Sequence, residues 1–329
     1  MNRYKDIFNL LKNPTGENLF SVFRIADSCY IAKDLSNNFS LVIEHSLQSD
    51  MDWPKPRKTN TLHFVSGRKV TLEIEESNQN QESFVTMITC TEKKVIFPFC
   101  AMIEAALSDE SIVREMVNDP NQIWLFLEDF YDCFSNKKSN YISKRQTIGL
   151  WGELSTILAG KVTHGIIETW KGPEKYIHDF AVNRIALDVK TTTNRTRIHK
   201  IKHEQLFDNT NTKKYIVSYT IAKTHNEGKS VDHLVEEISD RLNPIIRLKF
   251  VNKLGLIGYN FKGEHPECII KYRLRSGGKM YSSEALPHIN EDDIPDGVNG
   301  LEYSITLDNL QGLLREAHIQ VDRQIRGLE

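Results

Sequence analysis

The segment His178-Asp179-Phe180-Ala181-Val182-Asn183-Arg184-Ile185-Ala186-Leu187-Asp188-Val189-Lys190 carries two carboxylates and an amine at a spacing that could do chemistry. If the chain turns at Asn183-Arg184 as an antiparallel hairpin, Val182 faces Ile185, Ala181 faces Ala186, Phe180 faces Leu187 and Asp179 faces Asp188. Side chains alternate faces along a strand. One face then holds Phe180, Val182, Ile185, Leu187 and Val189, all apolar, and the other holds Asp179, Ala181, Ala186, Asp188 and Lys190. Directly opposed residues have Cβ atoms about 5 Å apart, and like charges so placed repel. Such a pair makes sense around a cation. A hard divalent ion such as Mg²⁺, with Mn²⁺ as a substitute, is held by one or two carboxylates plus substrate phosphate. Lys190, roughly 7 Å along the strand from Asp188, would then stabilise developing charge or help activate an attacking water. The plain alternative is a surface hairpin with two solvated aspartates and a lysine.

The surroundings favour chemistry. Glu153 lies inside the otherwise apolar turn Gly149-Leu150-Trp151-Gly152-Glu153-Leu154. A carboxylate on a core-facing surface is costly unless paired or bound to a metal. Between Asp188 and Glu204 there is no acidic residue, but there are Lys190, Arg195, Arg197, Lys200 and Lys202. Basic side chains beside a metal site suit a phosphodiester backbone, so Arg195, Arg197, Lys200 and Lys202 are the expected DNA-backbone contacts. The wider charge pattern agrees. Residues 1–140 carry 15 basic and 20 acidic side chains, 141–280 carry 24 and 14, and 281–329 carry 3 and 10. A basic middle between acidic flanks points to a polyanionic partner.

Several elements must position these residues. The stretches 19–25, 29–33 and 39–44 read as short strands, and 69–74 and 84–89 alternate with period two. From Phe97 the pattern is helical as far as Val117, with Asp119-Pro120-Asn121 as a break and a second helix over 122–134. The polar run Ser135–Asn140 is the expected hinge. Beyond it come a helix over 146–158, the hairpin region 177–192, and a strand over 215–222. Ser230 is placed to cap a helix over 231–242. The C-terminal part reads as a hairpin around Gly277-Gly278, a strand over 301–307 and a polar helix after Asp308. The fold class is therefore α/β, α+β overall. Three parts are expected: an N-terminal α+β domain over 1–138 for recognition or partner binding, a core over 139–255, and a β/α extension over 256–329.

Composition excludes several classes. The 329 residues are 40% hydrophobic and 26% charged, which is globular and not fibrous or disordered. No run nears the roughly 20 apolar residues that span a bilayer, and the N-terminus lacks a signal-peptide core. The five cysteines are scattered and never in CxxC spacing, which disfavours a disulfide scaffold or a thiolate zinc site. A soluble, cytoplasmic protein is expected, with no membrane contact. His199 and His203 are spaced i, i+4 but lack the third ligand of a zinc helix. There is no GxxxxGK[ST] phosphate loop. Trp53 and Trp151 could stack on bases, but burial suits them better.

The pattern Glu153, Asp179, Asp188-Val189-Lys190 resembles the PD-(D/E)XK nuclease superfamily. More narrowly, three blocks are similar to the bacterial "PD-(D/E)XK motif protein" family: Gly149–Leu154, Trp170-Lys171-Gly172-Pro173, and Asp188-Val189-Lys190-Thr191-Thr192 with Glu204-Gln205-Leu206. The resemblance implies a restriction-endonuclease-like core, a mixed sheet flanked by helices. It implies Asp179 and Asp188 as metal ligands, Lys190 as the catalytic lysine, Glu153 as a metal contact from the helix, and Gln205 as a further residue of the site. The proline of the motif is His178 here. The implied activity is a Mg²⁺-dependent DNA endonuclease of restriction or phage-defence type. Its partners would be DNA, a second copy of the chain in a homodimer, and helicase, ATPase or methyltransferase components. The alternative is a DNA-binding or scaffold subunit of a defence complex, silent alone or gated by a partner.

Overall fold

The structure is a computed structural model that describes residues 3–16, 19–46, 53–75, 77, 79–128, 142–207, 211–259, 266–290 and 293–328. The expected hinge, 135–140, lies outside the described residues, as does the end of the helix expected over 122–134. Two compact units emerge, one made of Met1–Asn140 with Asn243–Lys262, the other of Tyr141–Leu242 with Gly263–Glu329. The residues expected to form a separate C-terminal extension thus fall in the unit of the hairpin, apart from those before Gly263.

In the first unit, strands β1 (Leu19–Ala26), β2 (Cys29–Lys33) and β3 (Phe39–His45) follow one another as hairpins. Their turns use Ser28 (φ 58°) and Asn37 (φ 60°) in the left-handed region, which asparagine tolerates. Strand β3 pairs with β6 (Gln79–Cys90), β6 with β5 (Leu62–Ile74), and β5 also with the short β4 (Arg57–Lys58). Strand β1 pairs in parallel with β5, from Leu19↔Thr71 to Val22↔Ile74, and so closes a five-stranded barrel. Its interior is filled by buried Phe20, Val22, Tyr30, Ala32, Val42, Val70, Leu72, Ile74, Val85 and Met87. Full burial of such side chains contributes roughly 1.5–3 kcal/mol each. Helices α1 (Arg3–Leu10), α2 (Ile96–Ala106), α3 (Glu110–Asn118) and α4 (Pro120–Glu128) supply a second core around Phe8, Phe39, Phe99 and Ile103. The helical pattern expected to run on to Val117 is broken where the Asp109 carboxylate accepts the Ser111 N–H and starts α3.

In the second unit, α5 (Lys144–Leu158) opens with a capping box in which Ser143 and Gln146 satisfy each other's backbone N–H groups. It buries Leu150, Trp151, Leu154 and Ile157. The short α6 (His164–Thr169) leads to β7 (Phe180–Val182), β8 (Ile185–Thr192), β9 (Ile198–Lys202) and β10 (Lys213–Thr224). Helix α7 (Val231–Arg241) starts at the expected cap, Ser230, whose hydroxyl accepts from His233 N. The chain then returns to the first unit as α8 (Pro244–Leu256), whose Leu248 and Val251 join that unit's second core. It comes back as β11 (Lys271–Ser282), β12 (Glu302–Thr306) and α9 (Arg315–Ile325). The main sheet has the order β11-β10-β8-β7; β8 and β10 run parallel and the outer pairs antiparallel. Strands β9 and β12 form a separate ribbon.

The hairpin expected at Gly277-Gly278 is instead an irregularity within one strand, β11, where the register against β10 shifts between Ser218 and Ile221. A Cβ on Gly278 would lie 2.6 Å from Cε1 of Tyr219, so glycine is there for room. Among the described residues no helix is long and apolar enough to cross a membrane.

Candidate active site

The alternation of apolar residues around Asn183 produces the expected hairpin. Phe180 pairs with Leu187, Ala181 with Ala186 and Val182 with Ile185. The turn is made by Asn183 at φ 50°. Strand β8 is central, with Ile216 of β10 beside Asp188 and Ser218 beside Lys190. Asp188 is therefore 0% exposed, on the strand's most enclosed stretch.

A buried carboxylate needs partners, and Asp188 has them. Its Oδ2 lies 2.6 Å from Nδ1 of His178. Its Oδ1 accepts from Gln205 Nε2 at 2.5 Å and is 3.7 Å from the Lys190 ammonium. Gln205 organises this end of the site. Its amide also donates to the Ile177 carbonyl at 3.0 Å, and its Oε1 accepts from Lys190 Nζ at 2.8 Å. Lys190 is thereby aimed by a glutamine that itself is fixed on Asp188.

Asp179 and Glu153 occupy the other end. Oδ2 of Asp179 accepts the Val189 N–H at 2.7 Å, and its backbone carbonyl accepts the N–H groups of Lys171 and Gly172 at 2.7 and 3.1 Å. Glu153 Oε2 accepts from Nε1 of the fully buried Trp170 at 2.7 Å. Both carboxylates crowd onto Gly172. A Cβ there would lie 2.9 Å from Glu153 Oε2 and 3.2 Å from Asp179 Oδ1. Gly152, next to Glu153, lets α5 approach β8, since a Cβ at that position would collide with the Thr191 hydroxyl.

The electrostatics record this crowding. Burial, the Glu153 charge and the Asp188 charge raise the Asp179 carboxyl well above its ordinary range, against the pull of the Val189 N–H and Lys190. Burial raises Glu153 as well, with Asp188 adding to it and the Trp170 N–H and Lys190 opposing it. Three hard oxygen donors that repel one another are what a Mg²⁺-type cation would neutralise, so the donor set fits such an ion. Among the described residues, no three His, Cys, Asp or Glu side chains stand as a ready metal cage. The Asp188 oxygens point instead at His178 and Gln205.

The five residues expected in the site, Glu153, Asp179, Asp188, Lys190 and Gln205, are thus brought together. The expected backbone contacts divide. Arg195, Lys200 and Lys202 are exposed, with Lys200 3.8 Å from Glu302. Arg197 is a correction: it is 3% exposed. Its guanidinium donates to the Ser218 carbonyl and hydroxyl, to Ser276 Oγ and to the Gly277 carbonyl. It braces the irregular stretch of β10 and β11 and cannot reach a solvent ligand. His199 and His203 fall on a strand and the turn after it, not on one helix face; His199 Nε2 lies 2.7 Å from Ser218 Oγ. Trp151 is buried and donates to the Lys229 carbonyl. Three contributors were not singled out by residue type: His178, which replaces the motif proline and holds Asp188; Trp170, which holds Glu153; and Gly172, which makes room. A buried indole N–H that must find an acceptor was the available signal for Trp170.

A family model described as "Putative PD-(D/E)XK family member, (DUF4420)" matches residues 4–308. No curated protein matches the chain, and no solved structure does.

Proposed function

The chain belongs to that PD-(D/E)XK family, and from this premise we propose that it is a metal-dependent DNA endonuclease of restriction or phage-defence type. The observation that carries the reading is the convergence of Asp188, Asp179 and Glu153 with Lys190 at one buried hairpin. Glu153, Asp179 and Asp188 would hold Mg²⁺ or Mn²⁺, which when bound supplies Lewis-acid polarisation of the phosphate and a more acidic water. The chain's own residues do the rest. Lys190, oriented by Gln205, offers a fixed ammonium where charge develops on the scissile phosphate. His178 and Gln205 hold the Asp188 carboxylate in one orientation. Trp170 does the same for Glu153. Duplex cleavage needs two cuts, which a homodimer would supply. Helicase, ATPase or methyltransferase components are the partners proposed for a restriction setting.

A second reading is a subunit that binds DNA but cuts only when a partner gates it. The observation that favours it is Asp188, whose oxygens are engaged by protein groups, with no ready cage around them among the described residues. The test is plasmid cleavage with Mg²⁺ or Mn²⁺ on methylated and unmethylated DNA, comparing the natural chain with Asp188→Ala and Lys190→Ala. Metal-dependent cutting lost in both variants supports the nuclease. Cutting that survives in both overturns the site. DNA binding without cutting under every condition favours the gated subunit.

A further inference from the structure

Beside Lys190 lies a cleft of about 570 Å³ within the second unit. Its walls are the first turn of α5, with Lys144 and Arg145, the end of β8 and the two residues after it, from Lys190 to Asn194, and the start of β9 with His199 and Lys200. No acidic side chain is among its lining residues. Four observations point to what it takes. First, Lys144 and Arg145 sit at the positive end of the α5 dipole, where carboxylates are normally favoured and cations are not. Second, the Lys144, Arg145, Thr193, Asn194 and Lys200 side chains at the wall are exposed to solvent. Third, burial first, then the charges of Lys190 and Arg197, hold His199 down to about 4 against the opposing charge of Asp308. Fourth, the cleft is continuous with Lys190, which stands against Asp188.

We propose that this cleft holds the nucleic-acid backbone next to the phosphate at the carboxylates, with Lys144, Arg145 and Lys200 on its phosphates and the Thr191–Asn194 segment lining its path. The proposal rests on the reading of the hairpin as a nuclease site and extends it. It also re-routes the strand. The path runs along the α5 N-terminus and the β8 end and does not pass over Arg197. Phosphate contacts of this kind position a strand without reading its sequence.

The test is fluorescence anisotropy of the whole chain with a labelled duplex and, separately, a labelled single strand, in EDTA to prevent cutting, over a series of KCl concentrations. The Lys144→Gln/Arg145→Gln double variant keeps good helix formers on the α5 turn, and an unchanged melting temperature verifies its fold. Lys58→Ala/Lys93→Ala removes the same charge from the first unit and is the control. The expected result is binding weaker by about tenfold or more in the double variant, with the salt slope reduced by about 2. The control leaves both unchanged. The arm in which the loss is larger identifies the form of strand that the cleft holds. Equal affinity and slope in double variant and natural chain overturn the proposal, as does an equal loss in the control. Cleavage is scored separately. A chain that cuts, with binding indifferent to Lys144 and Arg145, sinks the cleft and keeps the nuclease. A chain that never cuts but loses binding in the double variant keeps the cleft and sinks the nuclease.

Discussion

The barrel of the first unit and the sheet of the second bury polar groups in opposite ways. In the barrel unit, most buried polar side chains are neutral and matched, as with His45 between the Val117 carbonyl and the Thr86 hydroxyl and Ser40 with Thr89 at 2.9 Å. Even the buried Lys33 ammonium donates to the Leu11 carbonyl, near the end of α1. The sheet unit instead gathers three carboxylates around one hairpin, and two of them are pushed toward their neutral forms by that company. Like charges in a poorly solvated site cost stability, so the contrast separates a unit arranged to be stable from a hairpin that carries an electrostatic cost.

The largest expected effect is on cleavage. Lys190→Ala should slow metal-dependent cutting by about 10²–10³, the usual loss when one preorganised charge partner of the transition state is removed; Asp188→Ala should slow it further. Rates close to those of the natural chain in both would place the chemistry elsewhere. In the barrel, Leu72→Ala removes a fully buried side chain and should cost about 2–5 kcal/mol, read as a fall in the urea midpoint. A cost near zero would mean that the interior of the barrel is not tightly packed.

Next comes Arg197. Loss of its hydrogen bonds inside the sheet unit should destabilise Arg197→Ala by about 2–3 kcal/mol. Arg195→Ala and Lys202→Ala, both exposed, should stay within about 0.5 kcal/mol. Similar small effects for all three would return Arg197 to the surface. The last effect has the opposite sign. Asp179 has a raised pKa in the folded chain. Between the ordinary carboxylate range and that raised value the folded state holds more protons than the unfolded one, so stability falls as pH rises. Asp179→Asn should therefore stabilise the chain on the order of 1 kcal/mol at pH 8 and lose that advantage near pH 4, while abolishing metal-dependent cutting. A variant less stable than the natural chain at pH 8 would show that Asp179 is held charged at no cost.

Much of this was legible in the residues. The alternation Phe180, Val182, Ile185, Leu187, Val189 dictated the hairpin register because a slip of one residue would turn every apolar side chain outward. Ser230 and the polar-to-apolar switch before α7 announced a helix start. The closing of the barrel was not legible, since the parallel pairing of β1 with β5 joins segments about 50 residues apart and leaves no local mark. Arg197 looked like its basic neighbours because β9 alternates, so that Arg197 and His199 point inward while Ile198 and Lys200 point outward. The acceptors that hold Arg197 come from residues 218, 276 and 277. Gly277-Gly278 carried the mark of a turn, but Gly278 serves the ring of Tyr219. In each of these three misses the deciding partner was distant in sequence.

The order of the strands in the main sheet also bears on when the molecule becomes whole. The barrel is assembled from neighbouring hairpins and is complete once β6 has been made. Strand β10 must wait for β11, and between them the chain makes α7 and then spends Asn243–Lys262 in the other unit. Pairings between distant segments form slowly, and domains made first tend to fold first during synthesis. The carboxylate hairpin can therefore exist early, but its sheet is finished only after the barrel. On this timetable the sheet around the carboxylates is complete only after β11 has been made.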